Sequence, residues 1–282
     1  PAMTLMELIQ AALREDMPNG DVTTDSLALA PRFGQARLVA KQDLVLSGTL
    51  AFEQTVLSLE PNARVQWHFK EGDEVLENQV ICHVTGDLIQ ILKAERVALN
   101  FVGHLSGIAT LTRAFVKEVQ HTKTKILDTR KTLPAYRELE KRAVVHGGGH
   151  NHRHNLSDAV LIKDNHIRVA GSLKKAVERV REHWRKPIEV ECSTIEEVRE
   201  AVECGVERIL LDNMSNNMIR QALEIIPPHI VTEASGNMRL DRVRSVAELG
   251  VDYISVGAIT HSAPTADVSL VFDWIESEGA AI

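Results

Sequence analysis

Ten residues, His146 to Asn155, read HGGGHNHRHN: three consecutive glycines, then histidines at alternate positions with Arg153 among them. Two chemistries use such a stretch. In an extended segment, His150, His152 and His154 would share one face and offer metal ligands. A zinc site ordinarily adds a carboxylate or thiolate, however, and the fixed charge of Arg153 opposes a cation. Glycine backbone, asparagine, histidine and arginine suit an anion better, because the arginine fork matches a carboxylate with paired hydrogen bonds. The surroundings agree: residues 121–154 hold eight Lys or Arg against three Asp or Glu, and five of the twelve histidines. No GK[ST] follows the glycines, so a nucleoside triphosphate is not implied.

Other chemically capable residues fall where short apolar runs end. Asp128, Arg130 and Lys131 follow KIL, Lys163 follows AVLI, Glu191 follows Val190, and Asp212 follows Leu210-Leu211. Lys and Glu are poor turn formers, so turn chemistry does not explain their repeated appearance there. An α/β barrel builds its active site from the C-terminal ends of several strands. For Asp212, capping a helix that begins near SNNMIRQAL is a competing role. Two further ends are small, Ser235-Gly236-Asn237 and Gly257-Ala258. Small residues let backbone N–H groups approach an anion, and barrels commonly bind phosphate at their last strands. Tight turns are the plainer explanation of the same residues.

Together, Arg130, Lys131, Arg153, Lys163 and His152 accompany Glu191 and Asp212. That set suits a substrate with several negative charges, whose sugar hydroxyls or phosphate-borne divalent metal the carboxylates would hold. A phosphate turn, a metal–phosphate site and a dicarboxylate pocket point to phosphoribosyl transfer. A Schiff-base aldolase using Lys163 is the rival. It leaves Arg153 and both small-residue ends without a task.

The elements that must position these residues follow from periodicity. A helix is expected over roughly residues 4–16. QARLVAKQDLVLSG, RVQWHFKEGDEV and ENQVICHVTG read as strands, and LAFEQTVLSL as a helix. Next comes one long helix or two in series, with Leu92, Leu99, Val102, Leu105, Ile108 and Phe115 along one stripe and Gly103 and Gly107 marking close helix packing. After about residue 120, strand and helix alternate through six units: KILDTR, AVLIKDN, PIEVECS, RILLDNM, IVTEASGN and YISVGAIT. This predicts a parallel sheet covered by helices, either an incomplete α/β barrel or an open doubly wound sheet. The last segment, VSLVFDWIESE, reads as a helix through Leu270, Val271, Trp274 and Ile275.

Bulk composition narrows the partners. The chain has 282 residues, 44% hydrophobic and 25% charged, which is globular composition. A net charge of −7 gives no basic field for nucleic acid. Three cysteines without CxxC spacing argue against a disulfide framework and for the reducing cytoplasm. PAMTLMELIQAALRED lacks a cationic lead-in and reads as an amphipathic helix, not a signal peptide. No apolar run approaches the roughly 20 residues of a membrane span.

The segments ERVALN, LSGIAT, DTRKTLP, GGGHNHR, DAVLIKDNH, EVECST, LLDNM, EASGN and SVGAIT, in this order, strongly resemble the quinolinate phosphoribosyltransferase family over essentially the whole chain. The resemblance implies an N-terminal open α/β sandwich over residues 1–115, an incomplete α/β barrel over 116–268, and a C-terminal helix over 269–282 that packs back on the first domain. It implies condensation of quinolinate with 5-phosphoribosyl-1-pyrophosphate, with magnesium, to nicotinate mononucleotide, pyrophosphate and carbon dioxide. It implies a homodimer in which Arg96, in ERVALN, reaches the neighbour's site. Arg130, His152, Arg153 and Lys163 match the quinolinate pocket, and Lys131 a position between the two substrates. Glu191 and Asp212 match the ribose and metal–pyrophosphate positions, which makes Lys131, Lys163, Glu191 and Asp212 the candidate catalytic set. Ser235, Gly236, Asn237, Val256, Gly257 and Ala258 match the 5-phosphate cradle. His104, His150 and His154 fall where the family varies, and Ala135 stands where a glycine is common.

Overall fold

Thr4 opens the chain's first helix with a reciprocal cap: its hydroxyl accepts from Glu7 N, and the Glu7 carboxylate accepts from Thr4 N. The computed structural model describes residues 3–273. They form two units: residues up to Leu111 with Val145–Gly147 and the segment from Ala263, and Thr112–Val144 with Gly148–Ser262.

In the first unit, α1 (Leu5–Asp16) and α2 (Val22–Ser26) precede β1 (Phe33–Ala40), β2 (Leu44–Val45), α3 (Thr49–Leu59), β3 (Arg64–Trp67), β4 (Glu74–Val75) and β5 (Val80–Asp87). A single 32-residue helix, α4 (Leu88–Val119), follows and runs on into the second unit. The core gathers Leu38, Leu46, Phe52, Ile81, Ile91 and Val102. Along α4 the buried stripe passes through Leu88, Ile91, Ala94, Ala98 and Leu99. Leu92, expected on that stripe, is 44% exposed because it follows Ile91 by one position and so points about 100° away.

Gly103 and Gly107 do mark close packing, though against an extended segment and not a helix. Ala266 N donates to Gly103 O at 2.9 Å, and a Cβ on Gly107 would lie 2.1 Å from Pro264 O.

The second unit carries the six strands expected after residue 120: β6 (Lys125–Leu127), β7 (Val160–Ile162), β8 (Ile188–Cys192), β9 (Arg208–Asp212), β10 (Val231–Ser235) and β11 (Tyr253–Ser255). Between them lie α5 (Arg137–His146), α6 (Asp164–Ala170), α7 (Leu173–His183), α8 (Ile195–Glu203), α9 (Asn216–Ile225), α10 (Leu240–Ala247) and, after β11, α11 (Ala258–His261). The sheet order is β6-β11-β10-β9-β8-β7 and every pairing is parallel. The first and last strands of that order are consecutive in the chain yet unpaired. This is an α/β barrel with one seam open.

The chain then returns to the first unit as β12 (Val268–Asp273), antiparallel to β1, with Leu38 opposite Leu270. This corrects the expected C-terminal helix over 269–282 wherever that segment is described; Trp274, Ile275 and the rest lie outside the described residues. Val268, Leu270 and Phe272 alternate, so they pack one face on the core and close an edge of β1. The same six residues fit a helical stripe almost equally well, and the available strand edge decides. No helix among the described residues is long and apolar enough to cross a membrane.

The close approach at Gly107 generates a stability prediction. Gly107→Ala should destabilise the protein by about 1–3 kcal/mol in denaturant unfolding, whereas Gly103→Ala, whose nearest neighbour would lie at 3.1 Å, should cost less. Equal, wild-type midpoints for both variants would contradict the packing described.

Candidate active site

Because the six strands are parallel, their C-terminal ends lie along one edge of the sheet. There a cavity of about 730 Å3 opens, lined by Arg130, Lys131, His152, Arg153, Lys163, Glu191, Asp212, Ser235, Gly236, Asn237, Gly257 and Ala258. These are the predicted site residues except Val256 and Arg96.

The histidine stretch reaches the cavity by pairing with one side of the open seam. His150 N donates to Ile126 O at 2.8 Å, and Asp128 N donates to His150 O at 3.0 Å, so the stretch adds itself to the free edge of β6. Gly149 makes this possible: a Cβ there would lie 2.8 Å from Val144 Cγ1 and 2.9 Å from Thr112 Cγ2. Asp128 then locks the turn. Its Oδ1 accepts from Lys141 Nζ at 2.6 Å and from His152 N at 2.8 Å, and both side chains of the ion pair have 0% exposure. A buried pair of this kind costs about 3–5 kcal/mol when one partner is removed. The turn points His152 inward and leaves His150 and His154 exposed, so the three alternating histidines do not converge on a metal.

The cations crowd one another. Arg130 has a buried Nε with no acceptor among the described residues. Burial lowers the proton affinity of Arg153, and the neighbouring Arg130 charge lowers it further. One Arg153 nitrogen, Nη1, donates to Ala159 O at 3.1 Å. Opposite them, Glu191 is held above the ordinary carboxylate range by burial and then by the charge of Asp212, with Lys163 opposing. Asp212 is also raised by burial, against the Asn213 hydrogen bond and the Lys131 and Lys163 charges. It does not cap α9, since Ser215 does that through Met218 N. Two half-buried carboxylates that repel each other beside a cavity fit an oxygen-coordinated divalent cation.

Where β10 ends, Gly236 has φ +91°, and a Cβ there would lie 2.3 Å from Asn213 Oδ1. Only glycine passes this point. At Gly257 a Cβ would lie 3.0 Å from Lys131 Cδ. Val256 is a correction: its side chain is buried and its N–H already donates to Leu127 O at 3.0 Å, so no donor remains for an anion. Ala135, in the loop before α5, sits at φ +64°, a left-handed conformation that favours glycine.

Sequence reasoning missed what lies beneath. Glu189 and Glu233 are buried, and Arg208 donates to both, from Nε to Glu189 Oε2 at 2.7 Å and from Nη2 to Glu233 Oε1 at 2.6 Å. The signal was available: Glu189 and Glu191 stand two apart on one strand face, and Glu233 interrupts an apolar run on β10. Asn213 and His261 also line the cavity. Arg96 is on α4 in the first unit and does not line it.

Residues 21–106 match the quinolinate phosphoribosyl transferase N-terminal domain and residues 108–271 the C-terminal domain. A Nicotiana glauca protein named quinolinate phosphoribosyltransferase [decarboxylating] 2, mitochondrial, is 40% identical across 97% of this chain and 83% of its own. A Synechocystis protein named probable nicotinate-nucleotide pyrophosphorylase [carboxylating] is 43% identical, over 93% of this chain and 90% of its own. The crystal structure of nicotinate-nucleotide pyrophosphorylase from Ehrlichia chaffeensis superposes with a TM-score of 0.92 at 40% identity, covering 96% of this chain and 99% of that one. With both domains matched in order and the cation-lined cavity at the strand ends, the chain belongs to the quinolinate phosphoribosyltransferase family.

Proposed function

We propose that the protein transfers the phosphoribosyl group of 5-phosphoribosyl-1-pyrophosphate to the ring nitrogen of quinolinate and decarboxylates the product. The reaction yields nicotinate mononucleotide, pyrophosphate and carbon dioxide, a step of NAD synthesis. The observation that carries this reading is Arg130, whose buried Nε has no acceptor among the described residues, in a cavity that also holds Lys131, Arg153 and Lys163. An unpaired buried donor is costly, and an anionic substrate relieves that cost.

The pyridine nitrogen is already a nucleophile, so no base need activate it. The protein's task is to hold it in line with the ribose carbon, a proximity effect that can be worth roughly 7–11 kcal/mol. Arg130, Arg153 and Lys163 take the two carboxylates of quinolinate. Ser235, Gly236, Asn237, Gly257 and Ala258 take the 5-phosphate. As the bond to pyrophosphate breaks, positive charge develops on the ribose, and the carboxylates of Glu191 and Asp212 are assigned to stabilise it. Glu191 and Asp212 would also hold a magnesium ion, which would supply charge neutralisation to the departing pyrophosphate. The ring nitrogen is then quaternary, so the carbon–carbon bond to the adjacent carboxylate breaks with its electron pair held next to that nitrogen. Carbon dioxide leaves, and the ring carbon takes a proton from Lys131, Lys163 or solvent.

We assign Arg96 to a partner's site in a homodimer, on its match to the family's trans-acting arginine. A cytoplasmic location accords with three free cysteines. The net charge of −7 offers nothing to nucleic acid, and neither nucleic acid nor membrane is a partner in this reading.

Incubating the protein with quinolinate, phosphoribosyl pyrophosphate and magnesium should release carbon dioxide and pyrophosphate in equal amounts, and neither without magnesium. Absence of both products with magnesium present would overturn the assignment. Nicotinate lacks one carboxylate and leaves buried cations unpaired, so its kcat/KM should be lower by about 10⁴-fold; comparable turnover would contradict the dicarboxylate pocket. Mixing Arg96→Ala with Lys163→Ala chains should restore activity through hybrid dimers. No recovery once subunit exchange is demonstrated would remove Arg96 from the shared site.

A further inference from the structure

Both nitrogens of the His152 ring are engaged within the protein. Nε2 lies 2.9 Å from Glu189 Oε1 and 3.1 Å from Glu233 Oε1. Nδ1 lies 2.8 Å from the backbone nitrogen of Arg153, whose N–H points at it. The second contact has only one sense. A backbone N–H donates, so Nδ1 accepts and must keep its lone pair. An imidazolium carries hydrogen on both nitrogens and has no lone pair to offer.

Two forces compete over this ring. Burial opposes a charge on it, while Glu189 from β8 and Glu233 from β10 draw it toward the charged form and would on balance lift its pKa to about 9, against the geometry at Nδ1. Arg208 from β9 offsets one of their two charges through its bonds of 2.7 Å and 2.6 Å, and Ser255 Oγ from β11 donates to Glu233 Oε2 at 2.8 Å. A proton on Nδ1 would face the Arg153 N–H, donor against donor at 2.8 Å, and would add a cation to a cavity already lined by Arg130 and Arg153. The neutral form satisfies every contact; the charged form gains attraction to the residual carboxylate charge but breaks the Nδ1 contact and adds repulsion from the cavity cations. A metal held by His152, Glu189 and Glu233 is disfavoured for a related reason: the Arg208 guanidinium already bonds both carboxylates.

We propose that His152 is an uncharged positioning residue: Glu189 and Glu233 fix its Nε2–H tautomer, and its Nδ1 holds the backbone turn that aims the Arg153 guanidinium. With both nitrogens engaged, the ring has its carbon edge left to offer the cavity, which suits packing against an aromatic acid. The charges of that acid then fall on Arg130, Arg153 and Lys163. The assignment of a ligand rests on the function proposed above; the tautomer does not.

The test uses the full chain labelled with ¹⁵N-histidine and no substrate. Ring nitrogens are observed by proton–nitrogen correlation, and His152 is assigned by the signals that His152→Gln removes. Should that variant not fold, the coupling across the hydrogen bond between the Arg153 amide and Nδ1 assigns the same ring. The expected result is one pyrrole-like and one pyridine-like nitrogen, unchanged as the pH falls through about 6.5, where a free histidine gains its second proton. Two pyrrole-like nitrogens at neutral pH would overturn the proposal, whatever the enzyme assay gives. A kinetic arm separates positioning from direct binding. His152→Gln should raise KM for quinolinate in the native background and leave it unmoved in an Arg153→Ala background, with KM for phosphoribosyl pyrophosphate steady in both. Losses that simply add would mean that His152 contacts the substrate on its own account.

Discussion

Like charges do not stay together unless something beneath them compensates, and the second unit is built around that constraint. Its cavity gathers Arg130, Lys131, Arg153 and Lys163 at one edge of a parallel sheet. Below them the barrel interior is not a stack of apolar layers. Asp128 and Lys141 form a fully buried pair, and Arg208 is clamped between Glu189 and Glu233. The Asp128–Lys141 pair is balanced, and Arg208 offsets one of the two carboxylate charges beside it, so these groups hold the chain in place without adding a cation to the cavity. The positive field is therefore left for a ligand to neutralise, which is how a rigid site favours one anion over water.

Charge accounting also orders the reaction. Quinolinate enters with two carboxylates and leaves as a nucleotide with one on its ring. A pocket matched to two loses a partner when carbon dioxide departs, so the ring of the product is gripped less tightly than that of the substrate. In the proposed reaction the 5-phosphate keeps its contacts at the Gly236 and Gly257 turns throughout. Binding energy at the phosphate thus keeps the ribose in register while the charge on the ring changes.

Much of this was legible in the sequence. The six strands of the second unit announced themselves by apolar runs at regular spacing, and the residues at their ends were recognisable because Lys163 and Glu191 are poor turn formers. What stayed hidden has physical causes. Glu189 and Glu233 lie within strands, where a carboxylate makes sense only once Arg208 on the intervening strand is known to reach both. The alternation of His150, His152 and His154 predicted a shared face, but pairing with β6 extends only to His150, and the Asp128 lock then turns the chain. Val256 followed the right strand, yet its N–H was committed to Leu127 by sheet pairing that no local pattern reveals. The segment from Val268 carries both helical and strand periods, and its fate was set by the edge of β1, more than 200 residues earlier in the chain. Arg96 entered only through family resemblance; no local feature marks it.

The most direct test of the central claim is a crystal structure of the protein with quinolinate bound. The account predicts a carboxylate oxygen within hydrogen-bond distance of Arg130 Nε, with the second carboxylate on Arg153 or Lys163. Quinolinate seated elsewhere, with Arg130 Nε still lacking an acceptor, would contradict it.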